Sequence, residues 1–197
     1  MQRSLDSGYL HLALGPMFSG KTTSLISATT RYRDLGCKCL IINHASDKRE
    51  TTGHNRNITF HSGTSFVIPN DIDVISTDDL NKVVVQGYQC VAVDEIQFFD
   101  SLTACVEWVE KHKCHVFVSG LNGSSERKIM GDVANLIPFA DEVIIHKACC
   151  LHCLKERGIL TDAIFTRCKI NKDTEVCVGG SDIYEPVCRN CYVNLSK

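Results

Sequence analysis

The 197-residue chain has little net charge and no long apolar run. Its 21 basic and 23 acidic residues leave a formal net charge of −2, so no strong positive field favours binding to nucleic acid. No stretch approaches the roughly 20 consecutive apolar residues that span a membrane. Residues 1–12 lack the apolar core of a secretory signal. These absences predict a cytoplasmic protein that has neither nucleic acid nor a membrane as its partner.

The composition is otherwise that of a globular protein, with 44% hydrophobic residues and a length that suits one main domain plus a small appendage. Twelve cysteines is a high count for such a chain. In a reducing compartment, cysteines within predicted strands and helices are small buried hydrophobes or free thiols, whereas a disulfide framework is typical of small secreted domains. This interpretation covers Cys37, Cys39, Cys90, Cys105 and Cys114.

The most informative stretch is GPMFSGKT at residues 15–22, which fits the phosphate-loop pattern G-x-x-x-x-G-K-[ST]. It lies between a predicted strand over 9–14 and a predicted helix over 23–35, which is the context that the motif requires. Backbone N–H groups and the helix N-terminus would bind a polyphosphate. Lys21 would reach the β- and γ-phosphates, and the Thr22 hydroxyl would bind Mg²⁺. The predicted contacts are Gly15, Pro16, Met17, Phe18, Ser19, Gly20, Lys21, Thr22 and Thr23.

Strands and helices alternate through the first three quarters of the chain, which predicts a parallel sheet covered by helices on both faces. Beyond Lys147 the pattern changes to short β-like pieces between two cysteine pairs. We therefore place a domain boundary there, with an α/β nucleotide-binding domain over 1–147 and a small lobe over 148–197. Further strands are predicted at 37–43, 90–93, 114–119 and 143–146, helices at 77–85 and 101–112, a polar loop at 45–65 with a short strand at 58–61, and β-like pieces at 163–170 and 175–178.

Two acids, Asp94 and Glu95, directly follow the apolar strand CVAV. In phosphate-loop proteins an aspartate at such a strand end holds Mg²⁺, and a neighbouring carboxylate can take a hydroxyl proton. We assign Asp94 to the metal and Glu95 to the base. Acids at strand ends are often no more than solvated charges, and it is the presence of the phosphate loop that favours the functional interpretation.

Two C-x-x-C pairs lie in the C-terminal part, at Cys150 with Cys153 and at Cys188 with Cys191. Four thiolates from two such pairs can form a closed tetrahedral Zn²⁺ site, and metal binding would supply folding free energy to a lobe that is poor in apolar residues. The gap between the pairs exceeds the commonest zinc-ribbon spacing, and Cys149 and His152 are substitute ligands. Ordinary thiols and a redox pair remain the alternatives.

Together these features resemble the type II thymidine kinases, the phosphate-loop family that includes the human cytosolic and poxvirus enzymes. The resemblance covers nearly the whole chain through LGPMFSGKTT, VAVDEIQFFD, GLNGSSERKIMGDVANLIPFAD and GGSDIYEPVCRNCY, in the family's order. It implies transfer of the γ-phosphoryl group of ATP to the 5′-hydroxyl of thymidine for deoxyribonucleotide salvage. It also implies Mg²⁺ with the ATP, a structural Zn²⁺, inhibition by dTTP and a homotetramer.

The resemblance also implies roles for individual residues. The segment 179–186 matches the family's lasso loop, which closes over the nucleoside. Cys150, Cys153, Cys188 and Cys191 match its zinc ligands. Implied catalytic residues are Glu95, Lys21 and Arg49; implied cofactor contacts beyond the phosphate loop are Asp47, Asp94 and Gln97; implied thymidine contacts are Met17, Phe98, Leu121, Met130, Thr166, Cys177, Gly179 and Tyr184.

The chain departs from the family pattern at Ser125 and Met130, where relatives often carry aromatic residues, and it is longer over 154–165. The first departure keeps a deoxynucleoside kinase of shifted specificity as an alternative. An alternative from another class is a non-catalytic phosphate-loop ATPase that binds nucleic acid through a zinc ribbon. The net negative charge disfavours that alternative.

Overall fold

A computed structural model describes residues 4–46, 57–59, 65–170 and 179–195 of the chain. The strands are β1 (Tyr9–Gly15), β2 (Cys39–His44), β3 (Asn57–Thr59), β4 (Ser65–Val67), β5 (Ile72–Thr77), β6 (Cys90–Val93), β7 (His115–Leu121), β8 (Glu142–Ile145), β9 (Ala148–Cys149), β10 (Asp162–Ala163), β11 (Phe165–Cys168) and β12 (Tyr184–Val187). The α-helices are α1 (Lys21–Asp34), α2 (Thr103–Glu110), α3 (Val133–Leu136), α4 (Leu151–Arg157) and α5 (Arg189–Leu195), and 3₁₀ turns lie at Leu80–Lys82, Ile96–Phe98 and Ile137–Phe139.

Six strands form one sheet in the order β5-β2-β6-β7-β1-β8, and every neighbouring pair is parallel. Side chains of β1 alternate between the two faces of this sheet, as the strand period requires. Leu10, Leu12 and Leu14 lie in a cluster with α2 residues such as Trp108. Tyr9 lies in the opposite cluster, with Leu25 and other α1 residues. Both faces are therefore buried, which confirms the α/β class predicted from the sequence.

The sheet has one strand more than the sequence predicted, because β5 was missed. This strand pairs with β2 at the sheet edge, where only its first residue, Ile72, is fully buried. An edge strand that is half exposed lacks the continuous apolar run that identifies the inner strands.

The helix predicted over 77–85 is wrong. Only a 3₁₀ turn forms there, and Asp79 caps it by accepting a hydrogen bond from the Asn81 N–H at 3.0 Å. The chain becomes extended at Val83. Three consecutive valines, Val83 to Val85, explain this outcome, because β-branched side chains lose χ1 freedom against the preceding helical turn.

The residues after 147 form two antiparallel pairs, β9 with β10 and β11 with β12, together with α4 and α5. The predicted piece over 163–170 is divided between β10 and β11, and the piece over 175–178 lies outside the described residues. The two helices were not predicted. This lobe has its own small buried cluster, in which four of the members are cysteines. The boundary at 147/148 itself stays a prediction.

None of the helices in the described ranges has the length and apolar character of a membrane span, and the longest, α1, has 14 residues.

Candidate active site

Three neighbouring strands end at the same place. β6, β7 and β1 are adjacent and parallel, so their carboxyl ends lie side by side at one edge of the sheet. The phosphate loop follows β1, Asp94 and Glu95 follow β6, and Leu121 is the last residue of β7. In open parallel sheets, ligands bind at this edge.

The phosphate loop has the backbone that its glycines predict. Gly20 caps α1 in the left-handed region, with φ of 80°, and a Cβ there would meet nothing within 4 Å. At Gly15 the constraint is close approach, since a Cβ would lie 2.6 Å from the His146 carbonyl oxygen. Lys21, only 9% exposed, donates from Nζ to the Pro16 carbonyl at 2.8 Å. The ammonium thus lies over the loop, where a phosphate would lie within its reach.

An unsatisfied hydroxyl supports this assignment. The Ser19 Oγ is buried and has no hydrogen-bond partner among the described residues. A buried polar atom without a partner is uncommon in folded proteins and indicates a missing water, ion or ligand. The donor set, with the backbone N–H groups at the start of α1, therefore fits a polyphosphate.

Asp94 is buried at 2% exposure, and its Oδ1 accepts a hydrogen bond from the Ser119 hydroxyl. Its backbone N–H donates to the Ile42 carbonyl at 3.0 Å, so the residue is held from both neighbouring strands, β2 through its backbone and β7 through its carboxylate. Carboxylate and hydroxyl oxygens are the ligands that Mg²⁺ prefers. Asp94 and Thr22 therefore offer the types of oxygen ligand that suit a magnesium ion.

Glu95 leaves β6 in the left-handed conformation, with φ of 54°. Its Oε2 accepts a hydrogen bond from Gln97 Nε2 at 2.5 Å. The Gln97 Oε1 in turn accepts from the Leu121 N–H at 3.0 Å. A left-handed non-glycine residue is uncommon and is often found at functional sites. Gln97 thus orients the proposed base and joins it to the end of β7. The cofactor contact that the family resemblance implies for Gln97 stays a prediction.

Glycine is required beside Gln97 at two places. A Cβ on Gly120 would lie 2.7 Å from the Gln97 Oε1, and a Cβ on Gly131 would lie 2.7 Å from the Gln97 carbonyl oxygen. Gly131 also has a positive φ of 53°. The end of β7 and the backbone at Gly131 therefore both pack against Gln97.

The residues predicted to contact thymidine lie on several elements. Thr166 on β11 accepts a hydrogen bond from the Met17 N–H at 2.9 Å, so the C-terminal lobe contacts the phosphate loop directly. Phe98 is 38% exposed beside His44, in the wall of a 540 Å³ cavity. Tyr184 is buried, and Leu121, Met130 and Gly179 are partly buried. Asp47, Arg49 and Cys177 lie outside the described residues.

Two residues of the site were not predicted. Ser119 is one, and its only sequence signal is that it is a polar residue near the end of an apolar strand. His146 is the other, since its ring lies near the phosphate loop. Burial, with smaller contributions from Lys21 and His11, lowers the pKa of His146 below its usual value.

The four cysteines predicted as ligands lie together. Their sulfur atoms are within 4.8 Å of one another and all four residues are buried. Cys153 Sγ lies 3.7 Å from Cys188 Sγ and 3.5 Å from Cys191 Sγ. A hydrogen bond with Thr161, with smaller contributions that include Cys191 and Arg157, lowers the pKa of Cys153 to about 6. A cluster of this kind could hold one metal ion with thiolate ligands.

The profile of the family described as thymidine kinase matches residues 8–192. The thymidine kinase of Amsacta moorei entomopoxvirus is 37% identical over 189 residues, which covers 94% of this chain and 98% of that protein. The thymidine kinase of raccoon poxvirus is 33% identical over 193 residues, covering 96% and 99%. The chain therefore belongs to the thymidine kinase family.

We expect Gln97→Leu to lower the free energy of unfolding by about 1–3 kcal/mol, because it leaves the Leu121 N–H and the Glu95 carboxylate without the partner that Gln97 supplies. Urea unfolding measures this. Gln86→Leu, the same change at an exposed position, should stay within about 0.5 kcal/mol of the wild type. Equal effects of the two substitutions would contradict the role of Gln97.

Proposed function

We propose that this chain transfers the γ-phosphoryl group of ATP to the 5′-hydroxyl of thymidine and so forms dTMP in deoxyribonucleotide salvage. One observation carries the proposal: in a chain of this family, Lys21 follows β1 while Asp94 and Glu95 follow β6, and the carboxyl ends of these parallel strands lie on either side of β7 at one edge of the sheet. Phosphoryl transfer requires positioning and charge neutralisation more than covalent chemistry, and these three groups supply both.

The phosphate loop would hold the triphosphate. The Lys21 ammonium leaves the Pro16 carbonyl, to which it donates at 2.8 Å, and pairs with the phosphate oxygens. Ser19 and the backbone N–H groups at the start of α1 satisfy further oxygens. Thr22 and Asp94 would hold Mg²⁺, which neutralises the charge that accumulates on the phosphates.

Glu95 would act as the general base. Its carboxylate takes the proton of the 5′-hydroxyl, the hydroxyl oxygen forms a bond to the γ-phosphorus, and the bond from that phosphorus to the β–γ bridging oxygen breaks to release ADP. Gln97 keeps the Glu95 carboxylate in one orientation through its 2.5 Å hydrogen bond. Fixing a base in this way removes a conformational cost from the transition state.

The thymine would lie between the phosphate loop and the C-terminal lobe. Thr166 and Met17 are already in contact there, and Tyr184 lies within the lasso segment 179–186, at the start of β12. Backbone groups of the lasso would pair with the pyrimidine edge, and a small apolar niche would accept the methyl group. Asp47, Arg49 and Cys177, together with inhibition by dTTP and a cytoplasmic location, remain predictions that the family resemblance supports.

The cysteine cluster would hold a structural Zn²⁺. A tetrahedral ion with Zn–S bonds of about 2.3 Å places its sulfurs about 3.8 Å apart. The observed separations of 3.5 and 3.7 Å fit that geometry. Each pair begins a short helix, because Cys150 precedes α4 and Cys188 precedes α5.

The edge strand β8 supports self-association into the proposed homotetramer. Within the described part of the chain, β8 is paired on one side alone, with β1. Its residues Val143, Ile144 and Ile145 are consecutive, apolar and 38–51% exposed. An exposed apolar edge strand is a ready site for pairing with another chain, and light scattering measures the resulting mass.

The test of the function is a panel of thymidine, deoxyuridine, deoxycytidine, deoxyadenosine and deoxyguanosine with ATP and Mg²⁺. We expect thymidine and deoxyuridine to be phosphorylated. Deoxycytidine and the purines should be poor substrates, because each buried group left without a hydrogen bond costs about 1–3 kcal/mol. Efficient use of deoxycytidine or deoxyguanosine would favour the shifted-specificity alternative, which the Ser125 and Met130 departures keep open.

We expect Glu95→Gln to lower kcat by about 10²- to 10⁴-fold while ATP affinity changes little, because the amide cannot accept the hydroxyl proton. Steady-state kinetics and titration with an ATP analogue measure the two quantities. Glu110→Gln, the same change on the exposed end of α2, serves as the control. A folded, saturated Glu95→Gln enzyme with wild-type turnover would contradict the assignment.

We expect about one Zn²⁺ per chain by elemental analysis of protein purified without added metal. Cys153→Ser should lose the ion and unfold at lower temperature, because metal binding contributes to folding. Cys149→Ser, at the exposed neighbouring cysteine, should keep both the metal and the stability. Active wild-type protein without zinc would rule out the metal site.

A further inference from the structure

The segment from Leu121 to Gly131, called here the pocket loop, is held at its two ends. Leu121 donates its N–H to the Gln97 side chain at 3.0 Å, and Gly131 packs against the Gln97 backbone. Between these points the loop is largely exposed. Its tip is a tight turn in which the Ser124 hydroxyl accepts from the N–H groups of Glu126 and Lys128.

The tip of the pocket loop also contacts the C-terminal lobe. The Tyr192 hydroxyl donates to the Ser125 carbonyl at 2.7 Å. The Arg127 guanidinium lies 4.5 Å from the centre of the Tyr192 ring and 5.5 Å from that of Phe165. Tyr192 is 7% exposed and follows the metal-site residue Cys191, so its position is tied to the metal cluster.

The backbone of Arg127 has a conformation that non-glycine residues disfavour, which indicates that surrounding contacts hold this residue in place. Its φ is 61°, in the left-handed region that a non-glycine residue seldom adopts. Such conformations persist where surrounding contacts fix them. The contacts present are the stack on Tyr192 and the turn at Ser124.

Strand β11 of the lobe contacts both the pocket loop and the phosphate loop. On β11, Phe165 lies by Arg127, and the next residue, Thr166, accepts the hydrogen bond from the phosphate loop at Met17. Successive residues of a strand point to opposite sides. The lobe therefore lies between the pocket loop and the phosphate loop and contacts each through a different side chain.

We propose that Arg127 and Tyr192 form a latch that fixes the pocket loop on the metal-binding lobe and so preorganises the wall of the nucleoside pocket. The two residues are positioning residues, since they act through Leu121 and Met130 and do not touch the reacting groups. This inference rests on the proposed function, because it assigns the pocket to thymidine.

The latch should affect nucleoside binding more than chemistry. Without it the loop must be ordered when the nucleoside binds, and that cost reduces the affinity. Once the nucleoside is bound, Lys21, Asp94 and Glu95 are unchanged, so turnover at saturation should be preserved. The KM for thymidine should rise, while the KM for ATP and kcat stay near their wild-type values.

Two substitutions open the latch by different means. Tyr192→Phe keeps the ring but removes the hydrogen bond to Ser125, and we expect the KM for thymidine to rise about three- to tenfold. Arg127→Lys keeps the charge and a comparable backbone preference but removes the planar stack, and we expect a rise of about two- to fivefold. Zinc content should equal that of the wild type in both variants.

Arg189→Lys is the matched control. The Arg189 guanidinium lies 4.9 Å from the centre of the same Phe165 ring, and no hydrogen bond or ring contact joins it to the described pocket loop. We expect this variant to keep the wild-type KM for thymidine. An equal rise in the control, or an equal rise in the KM for ATP in the latch variants, would overturn the latch in favour of a general loosening of the lobe.

Hydrogen–deuterium exchange of residues 121–131 in zinc-loaded protein without nucleoside tests the contact apart from the activity. Faster exchange in Tyr192→Phe and Arg127→Lys, but not in Arg189→Lys, supports the latch. If exchange is faster in these two variants but the wild-type protein does not phosphorylate thymidine, the contact is supported and the proposed function is rejected. Unchanged exchange together with a thymidine KM within about twofold of wild type overturns the latch.

Discussion

The buried carboxylate of Asp94 constrains the arrangement of the strands around it. A carboxyl group at 2% exposure is stable only where hydrogen bonds replace the lost contacts with water. Parallel pairing of β6 with β7 puts Val93 opposite Val118, and so brings Asp94 beside Ser119, which donates to it. Strand β1 pairs with β7 on the side away from β6, and it places the phosphate loop and Lys21 at the same edge of the sheet. The hydrogen bond between Asp94 and Ser119, and the placement of the phosphate loop at the same edge of the sheet, therefore depend on one strand order.

The C-terminal lobe differs from the main sheet in what can stabilise it. Its strands have two to four residues and its helices have seven, so it cannot bury a large apolar core. Four cysteines make up half of its buried cluster, and a bound ion would replace the missing apolar contacts. The lobe is nevertheless joined to the main sheet by specific contacts, at Thr166 with Met17 and at Tyr192 with Ser125. With the proposed metal, the lobe would be stable enough to carry part of the proposed substrate site.

Much of the fold and part of the site could be predicted because their signals are local. The glycine loop between an apolar strand and a helix, the acids after a second strand and the two cysteine pairs each lie within a few adjacent residues. The edge strand β5 and the absent helix at 77–85 were not predicted, since partial exposure and a run of valines override the simple patterns. The hydrogen bonds of Gln97 could not be predicted either, because they join Glu95, two residues away, to Leu121 far along the chain.

The sequence by itself determined the reaction chemistry: a phosphate-binding loop, a carboxylate pair and four thiols are recognisable from residue type and spacing. Only the tertiary structure decided how these groups are supported. Ser119 reaches Asp94 across a strand pair, Gln97 holds Glu95 against the end of β7, and Arg127 lies on Tyr192 of a separate lobe. Such contacts join residues that are distant in the chain. They follow from strand order and lobe packing, which no local pattern encodes.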